Sequence, residues 1–437
     1  MSNNEKNKLS LEPYKGVRDF YPEDMFVQNY IFGVMKMVCE KFGYQEYDAS
    51  VLEPAELYRA KTGEEIVNEQ TYTFKDRGDR DVTLRPEMTP TLARMVAAKK
   101  RELSYPLRWY SIPNLFRYEK PQRGRVREHW QLNVDVFGIK TIQAEVEVIS
   151  IASKIMKTLG LKETDFEIRV NSRKIINYIL KELYSLPEEK SYKISKLIDK
   201  KEKMSAEEFE KGAKENLGEK TAEFLTLLNS KNFEEFVSHL PNNSSEQEGI
   251  KEIKILLENL ENLGITNAVF SQTLMRGFDY YTGIVFEVFD KNPENRRSVF
   301  GGGRYDDLLD IFGQEKVPAV GFGCGDVIIR DILETYNLLP DYKPETKLAI
   351  CLLDEKFSAD ANELAQKIRE DGVNVAIDFS SKKLGDQIKS ADKQKIPFIL
   401  CLGENEVKSG KYKVKKLDTG NEMELSVDNI ANFVNNK

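Results

Sequence analysis

Leu274-Met-Arg-Gly-Phe-Asp-Tyr-Tyr-Thr-Gly-Ile-Val-Phe-Glu287 sets charges of both signs and two phenols against a strand-like run. Arg276 stands before a flexible Gly277. Asp279, Tyr280 and Tyr281 follow, and Ile284 to Phe289 alternates with the two-residue period of a half-buried strand. Buried polar groups require partners, so these groups either satisfy one another or are satisfied by a ligand. Two upstream segments, Leu107–Glu119 and Val126–Phe137, also read as strands, flanking Lys120-Pro-Gln-Arg-Gly-Arg125. Alternation puts Arg117 and Glu119 on one face of the first. It puts Gln131, Asn133 and Asp135 on one face of the second, with Leu132, Val134 and Val136 opposite. Such a face is either solvated, as in many antiparallel sheets, or the floor of a ligand site. The mixture of charges and amides favours the floor.

The chain has 437 residues, enough for two or three domains. Apolar residues make up 40% and charged residues 31%, a soluble globular balance with no apolar run long enough for a membrane span. The polar start, Met1 to Lys8, lacks the apolar core of a signal peptide, so a cytoplasmic location is expected. Cys39, Cys324, Cys351 and Cys401 are scattered among apolar neighbours, which suits buried thiols in a reducing compartment and suggests neither zinc nor disulfides. Two histidines, His129 and His239, are too few for a multi-histidine metal centre. The net charge of −7 does not fit a nonspecific nucleic-acid binder, which usually needs a broad basic surface. From Lys347 onward, 15 basic residues balance 15 acidic ones, so a polyanion must be gripped locally.

Along the chain, a polar leader gives way to Gly16-Val-Arg-Asp-Phe20 and a helix with Val27, Ile31, Val34 and Val38 on one face, ended by Gly43. Tyr44 to Leu52 reads as a strand. Thr71–Phe74 and Val82–Leu84 form two more, joined at Arg77-Gly-Asp79. Thr89 is expected to cap a helix whose first residue is Pro90, which leaves Glu87 and Thr89 at a strand-to-helix junction. Lys/Glu-rich helices from about residue 171 to 264 read as an insertion. Gly301-Gly-Gly303 permits either close approach of a ligand or a tight turn. After a linker at Leu339–Pro344, strands and helices alternate in a compact α/β domain.

These motifs resemble the histidyl-tRNA synthetase family of class II aminoacyl-tRNA synthetases over nearly the whole chain. The residues concerned are Gly16-Val-Arg-Asp-Phe20, the region of Pro54, Leu84-Arg-Pro-Glu-Met-Thr89, Phe116-Arg-Tyr-Glu119 with its following loop, and Arg127 to Gly138. Arg276-Gly-Phe-Asp-Tyr-Tyr-Thr-Gly283 is the match specific to this family. The resemblance implies an α/β protein with an α+β core. Residues 1–340 would form an antiparallel-sheet class II catalytic domain with the helical insertion, and residues 341–437 a mixed α/β anticodon-binding domain. It implies a homodimer, with motif 1 near Pro54 at its interface, that uses ATP, with Mg2+, to attach L-histidine to tRNA(His) through histidyl-adenylate.

By the same resemblance, Glu87, Thr89, Gln131 and Tyr280 hold the substrate ammonium, and Asp135 and Tyr281 read the imidazole. Arg117 and Arg276 brace the carboxylate and α-phosphate. Glu119 meets adenine, Arg125 the phosphates, and Gln122 and Arg123 the tRNA acceptor end. No resident metal is implied, since Mg2+ arrives with ATP. Three departures stand out. Asp135 replaces a usual glutamate, Trp130 and Asn133 are atypical, and Ile328 falls where class II motif 3 carries an ATP-binding arginine. Arg330 lies about 200° further round a helix and cannot simply substitute. The missing arginine gives weight to a second reading, a catalytically silent relative like the regulatory subunit of ATP phosphoribosyltransferase.

Overall fold

Alternation of small, apolar and polar residues builds the main sheet. The computed structural model describes residues 9–59, 70–201, 204–276, 280–295 and 297–435. Gly277 and Asp279 of the stretch quoted above lie outside the described residues. In chain order the first strands are β1 (Gln45–Glu46), β2 (Leu52–Pro54), β3 (Tyr72–Lys75), β4 (Asp81–Leu84), β5 (Leu107–Ser111) and β6 (Asn114–Phe116). Then come β7 (Glu128–Phe137), β8 (Phe166–Ser172), β9 (Ala268–Phe270), β10 (Ile284–Asp290), β11 (Ser298–Arg304) and β12 (Ala319–Gly325). Among the described residues, nine of these form one sheet in the order β1-β5-β7-β12-β11-β10-β8-β9, with β6 also paired to β7. Only the two outer pairs, β1 with β5 and β8 with β9, are parallel. Strands β2, β4 and β3 make a separate antiparallel patch.

One face of the sheet is apolar. Leu132, Val134, Val136, Phe286, Phe300, Val320 and Phe322 are buried in one core. The amphipathic helix Gln143–Thr158 lies against this face with Val148, Ile149, Ile151, Ala152 and Ile155. Each of these valine and isoleucine side chains contributes about 1.5–3 kcal/mol on burial. Helix Pro22–Lys41 adds Ile31, Met35 and Val38 to the same core and gives way to Gly43, whose φ of +81° is the left-handed turn that suits a chain leaving a helix. Helices between Arg173 and Asn262 bury Ile194, Ile198, Phe209, Leu217 and Phe224 and turn their Lys/Glu faces outward. Ser205 and Glu208 cap one of these helices reciprocally.

The sequence reading needs correction at four places. Leu107–Glu119 is not one strand: Pro113, which has no N–H to donate, separates β5 from β6. Arg117 and Glu119 therefore sit on the loop after β6. Tyr44–Leu52 likewise splits into β1 and the start of β2. Thr89 is not the cap: the helix Thr89–Lys99 begins at it, with Met88 at the cap position and no capping side chain. Gly301–Gly303 is no turn but the middle of β11.

The chain divides into two units. One gathers the described residues up to Phe20 with Val27–Leu339; the other gathers Tyr21–Phe26 with the residues from Pro340 onward. The second unit holds a five-stranded sheet of β13 (Leu348–Leu352), β14 (Val375–Asp378), β15 (Phe398–Leu402), β16 (Tyr412–Lys416) and β17 (Glu422–Leu425), ordered β14-β13-β15-β16-β17. Helices Ser358–Glu370 and Leu384–Lys393 make its parallel crossovers. Leu348, Ile350, Leu364, Ile368, Leu400, Val414 and Ile430 fill its core.

A buried ion pair fixes the end of β11. Arg304 donates through Nε and Nη2 to the two Glu145 carboxylate oxygens, each at 2.6 Å, and through Nη1 to the Ile139 carbonyl at 3.1 Å. Removing one member of such a pair strands a buried charge. Arg304→Met is expected to cost about 3–5 kcal/mol in urea unfolding; an unchanged midpoint would show that the pair does not hold this strand.

Candidate active site

The polar face of the sheet is laid out in cross-strand rows. Register places Asp135 opposite Gly321, Gly321 opposite Gly303, and Gly303 opposite Val285. Two residues along, Asn133, Gly323, Gly301 and Glu287 form the next row. A side chain on these glycines would collide with the polar groups of their neighbours. A Cβ on Gly301 would overlap the Arg276 guanidinium, and one on Gly321 would overlap the Asp135 carboxylate. One on Gly323 would stand 2.6 Å from Gln131 Nε2. The glycine run thus lets long polar side chains lie flat on the backbone.

Above these rows is a cavity of about 120 Å3 lined by Glu87, Thr89, Arg117, Gln131, Asn133, Asp135, Arg276, Tyr280, Tyr281 and Tyr305. It brings together all seven residues assigned to histidine, and Arg117. The loop carrying Glu87 is locked by buried Arg85, which donates to the carbonyls of Ala49 at 2.7 Å and Asn114 at 3.0 Å. Arg117 Nε donates to the Pro86 carbonyl at 2.8 Å, so the cation and the Glu87 loop are held together. Because Thr89 caps no helix, its side chain is left to the cavity wall. Gln131 Nε2 donates to Asn133 Oδ1 at 2.8 Å, which accounts for the atypical asparagine. Arg276 has a left-handed backbone, φ +53°. Its Nη1 donates to Glu287 Oε1 at 2.9 Å, and its guanidinium lies 5.5 Å from the Tyr281 ring centre. Tyr280 and Tyr281 pack together with ring centres 4.8 Å apart.

Asp135 is buried, and the Tyr305 hydroxyl donates to its Oδ1. Burial pushes the Asp135 carboxyl from 3.8 up to about 7, and the Tyr305 hydrogen bond pulls the other way. Arg117, Gln131, Arg276, Gly301 and Gly323 also line a larger, adjoining cavity of about 670 Å3. That cavity adds Glu119, Arg125, His129, Arg297, Val327 and Ile328. Arg125 Nε pairs with Glu119 Oε2 at 3.1 Å. Burial, reinforced by Arg117 and Arg18, pushes the His129 imidazole down to about 3, so it stays neutral. Gln122 and Arg123 line neither cavity. Gln122 bonds Arg125 through its backbone, and Arg123 Nη2 reaches Thr335 Oγ1 at 3.4 Å.

The sequence reading missed Tyr305, Glu287 and Arg297. Glu287 had a signal, a charge inside an otherwise buried strand. Tyr305 had none without the register that sets it beside Asp135. The Gly16–Phe20 motif is a clamp. Arg18 Nη2 and Gln28 Nε2 each donate at 2.8 Å to Asp326 Oδ2, and the Trp130 backbone N–H donates to Asp326 Oδ1 at 3.0 Å. Phe20 packs edge-on to Trp130 at 5.3 Å, which gives that atypical residue its partner. Among the described residues, no three His, Cys, Asp or Glu side chains gather to hold a metal ion. Chemically, the small cavity offers opposed carboxylates and guanidiniums, as a zwitterion requires. The larger one offers arginines, as a polyanion requires.

Comparison with known proteins agrees with this geometry. Residues 16–325 match the histidyl-tRNA synthetase family, and residues 347–437 match the anticodon binding domain. The histidine–tRNA ligase of Leptospira biflexa is 42% identical over 427 residues, covering 96% of each chain. The chloroplastic/mitochondrial histidine–tRNA ligase of Arabidopsis thaliana is 36% identical over 429 residues, covering 97% of this chain and 86% of that one. The crystal structure of a histidyl-tRNA synthetase from a Nostoc species shares the fold with a TM-score of 0.81 at 23% identity, over 98% of this chain and 99% of that one.

Two stability measurements probe the floor. Gly321→Ala forces a methyl group into the Asp135 carboxylate and is expected to cost about 1–3 kcal/mol. Gly325→Ala, which meets nothing within 4 Å, should leave the melting temperature unchanged; equal losses would refute the steric account. Asp135 holds its proton more tightly folded than unfolded. That favours the fold at low pH, and the contribution is lost as pH rises from 3.8 through about 7. Asp135→Asn should therefore gain melting temperature relative to the unaltered protein between about pH 5 and about pH 8, whereas a constant offset would contradict the raised pKa.

Proposed function

Since the chain belongs to the histidyl-tRNA synthetase family, we propose that it attaches L-histidine to the 3′ end of tRNA(His), with ATP as co-substrate. The observation that carries this reading is the paired cavity. A small pocket of about 120 Å3 lined by both carboxylates and guanidiniums shares Arg117 and Arg276 with an arginine-lined cleft of about 670 Å3.

In the first step a histidine carboxylate oxygen attacks the α-phosphorus of ATP. The bond to the β-phosphate oxygen breaks, and pyrophosphate leaves as histidyl-adenylate forms. Arg117 and Arg276 brace the carboxylate and the α-phosphate; both line both cavities, which supports the role. Fixed cations at such a point stabilise charge that develops in the transition state. Glu87, with Thr89, Gln131 and Tyr280, holds the α-ammonium. Asp135 and Tyr281 read the imidazole nitrogens, and Tyr305 orients Asp135. An apolar analogue would leave these buried groups unpaired and be rejected. Glu119 meets adenine and Arg125 the phosphates. Mg2+ enters with ATP and leaves with pyrophosphate.

In the second step the 3′-terminal ribose hydroxyl attacks the adenylate carbonyl, and AMP leaves. An adenylate phosphate oxygen takes the hydroxyl proton, since Glu87 and Asp135, the carboxylates lining the small cavity, are given to the ammonium and the imidazole. Gln122 and Arg123, on a turn outside both cavities, contact the acceptor end. The second unit binds the anticodon. A cytoplasmic homodimer completes the reading. Free thiols at Cys39, Cys324, Cys351 and Cys401 suit that compartment, and exposed Leu52 and Phe74 beside Pro54 suit a dimer contact. The silent regulatory reading is not favoured: a regulatory subunit needs neither an anticodon-binding domain nor a complete charged pocket.

Histidine-dependent ATP–pyrophosphate exchange tests the proposal, and folded protein that exchanges no label above background would sink it. Arg276→Ala should lower exchange by about 10²–10³, far more than the loss of its Glu287 partner lowers stability. Undiminished exchange would remove this arginine from the mechanism.

A further inference from the structure

We infer that Arg297 grips the outer phosphates of ATP, filling from a different strand the place left by Ile328. This rests on the adenylation reading above and adds to it the residue that completes the nucleotide site.

The larger cavity needs a cation at its far end. Arg117 and Arg276 serve its junction with the small pocket, and Arg125, already given to the phosphates, has its charge offset by Glu119 at 3.1 Å. The motif 3 position presents Ile328, whose aliphatic side chain lines the cleft and offers no charge. Arg297 lines the same part of the cleft. A Cβ built on Gly124 would lie 3.4 Å from Arg297 Cδ and 3.6 Å from Ile328 Cγ1. The two side chains therefore meet at one point on the Pro-Gln-Arg-Gly-Arg loop, which sets the Arg297 side chain beside the motif 3 position.

Arg297 also directly precedes β11, the strand that carries Gly301 beneath Arg276. Four strand positions separate Gly301 from Arg297, about 13 Å of backbone. Residues 297–301 line the cleft without a break. Arg276 at one end of this stretch and Arg297 at the other are spaced for a ligand with anionic groups in line. The triphosphate of ATP, reaching out from the small pocket, is such a ligand.

The state of Arg297 supports this role over that of an ordinary surface arginine. It is half-buried, and among the described residues it makes no hydrogen bond or ion pair. Burial, followed by the nearby positive charge of Arg125, holds its guanidinium below the usual arginine range. Glu119 and Asp331 act in the opposite direction but do not outweigh these effects. Two neighbouring cations in a cleft raise each other's energy until an anion joins them. The other arginines of the region are committed elsewhere: Arg169, which also lines the cleft, pairs with Glu167 at 2.6 Å. Arg330 Nε donates to Glu334 Oε1 at 3.2 Å and does not line the cleft. Arg123 is exposed and also off the cleft.

The test compares nucleotides that differ only in the outer phosphates. Calorimetric binding of MgATP and of AMP to the full chain is measured for the unaltered protein and for Arg297→Ala, alongside melting curves. Arg297→Ala should weaken MgATP about 10- to 100-fold and leave AMP within about twofold. In pyrophosphate exchange, the KM for ATP and for pyrophosphate should rise while that for histidine holds. Adding Ile328→Arg to Arg297→Ala should restore part of the lost MgATP affinity. If Arg297→Ala lowers the melting temperature, Arg297→Gln, which keeps most of the stem, replaces it. Unchanged MgATP affinity, or equal losses for MgATP and AMP, overturns the inference while leaving the adenylation reading intact. Absent exchange by the unaltered protein overturns that reading itself.

Discussion

A methyl group on Gly301 or Gly321 would occupy the space used by Arg276 or Asp135, and one on Gly323 would crowd Gln131. This steric allowance on two adjacent strands is what the site rests on. Without it, a guanidinium, a carboxylate and an amide would have to rise off the sheet, where they would lose their fixed positions and gain water. With it, they lie against backbone whose other face is packed on Phe286, Phe300 and Phe322. Interiors packed like crystals resist deformation, so the charges are placed before any ligand arrives. Preorganisation of this sort is where electrostatic catalysis gets most of its strength.

The period-two alternation of β7 made its functional face legible, and the same alternation set Leu132, Val134 and Val136 in the core. The cluster in Arg276–Glu287 was equally readable as polar groups in want of partners. Other features were hidden for physical reasons. A glycine run looks the same in a turn as in a strand, and only the paired register shows what each missing side chain makes room for. Pro113 interrupts the strand before Arg117, so the phase carried across it in the sequence reading was lost. Thr89 matched a capping residue by type, yet the helix starts one residue earlier than its chemistry suggests. The pairing of Tyr305 with Asp135 and the meeting of Arg297, Gly124 and Ile328 are long-range contacts that local pattern cannot carry.

The charge arithmetic also changes scale between chain and site. A chain with a net charge of −7 concentrates Arg117, Arg125, Arg276 and Arg297 along one cleft. Carboxylates offset several of the cations on this cleft: Glu287 holds Arg276, Glu119 holds Arg125 and Glu167 holds the neighbouring Arg169. Meanwhile Asp135, raised to about 7, carries only part of its charge at neutral pH. The resting pocket is therefore close to balanced, and the positive excess is left where a polyphosphate would lie. Local focusing of this kind raises the concentration of an anionic substrate without a basic surface.

The strand order carries a further implication. β12 is the last of the nine strands in the chain, yet it lies between β7 and β11 near the centre of the sheet. As the chain leaves the ribosome, the strands ending at β7 and those from β8 to β11 can form only as two half-sheets. Each then presents an unpaired edge, a state prone to wrong pairing. Emergence of β12 joins them and, in the same event, delivers Gly321 and Gly323 beneath Asp135 and Gln131. The residue after it, Asp326, then receives Arg18 across 308 residues of sequence. Closure of the sheet and creation of the binding floor are thus a single late step, so a chain stopped short of β12 has neither.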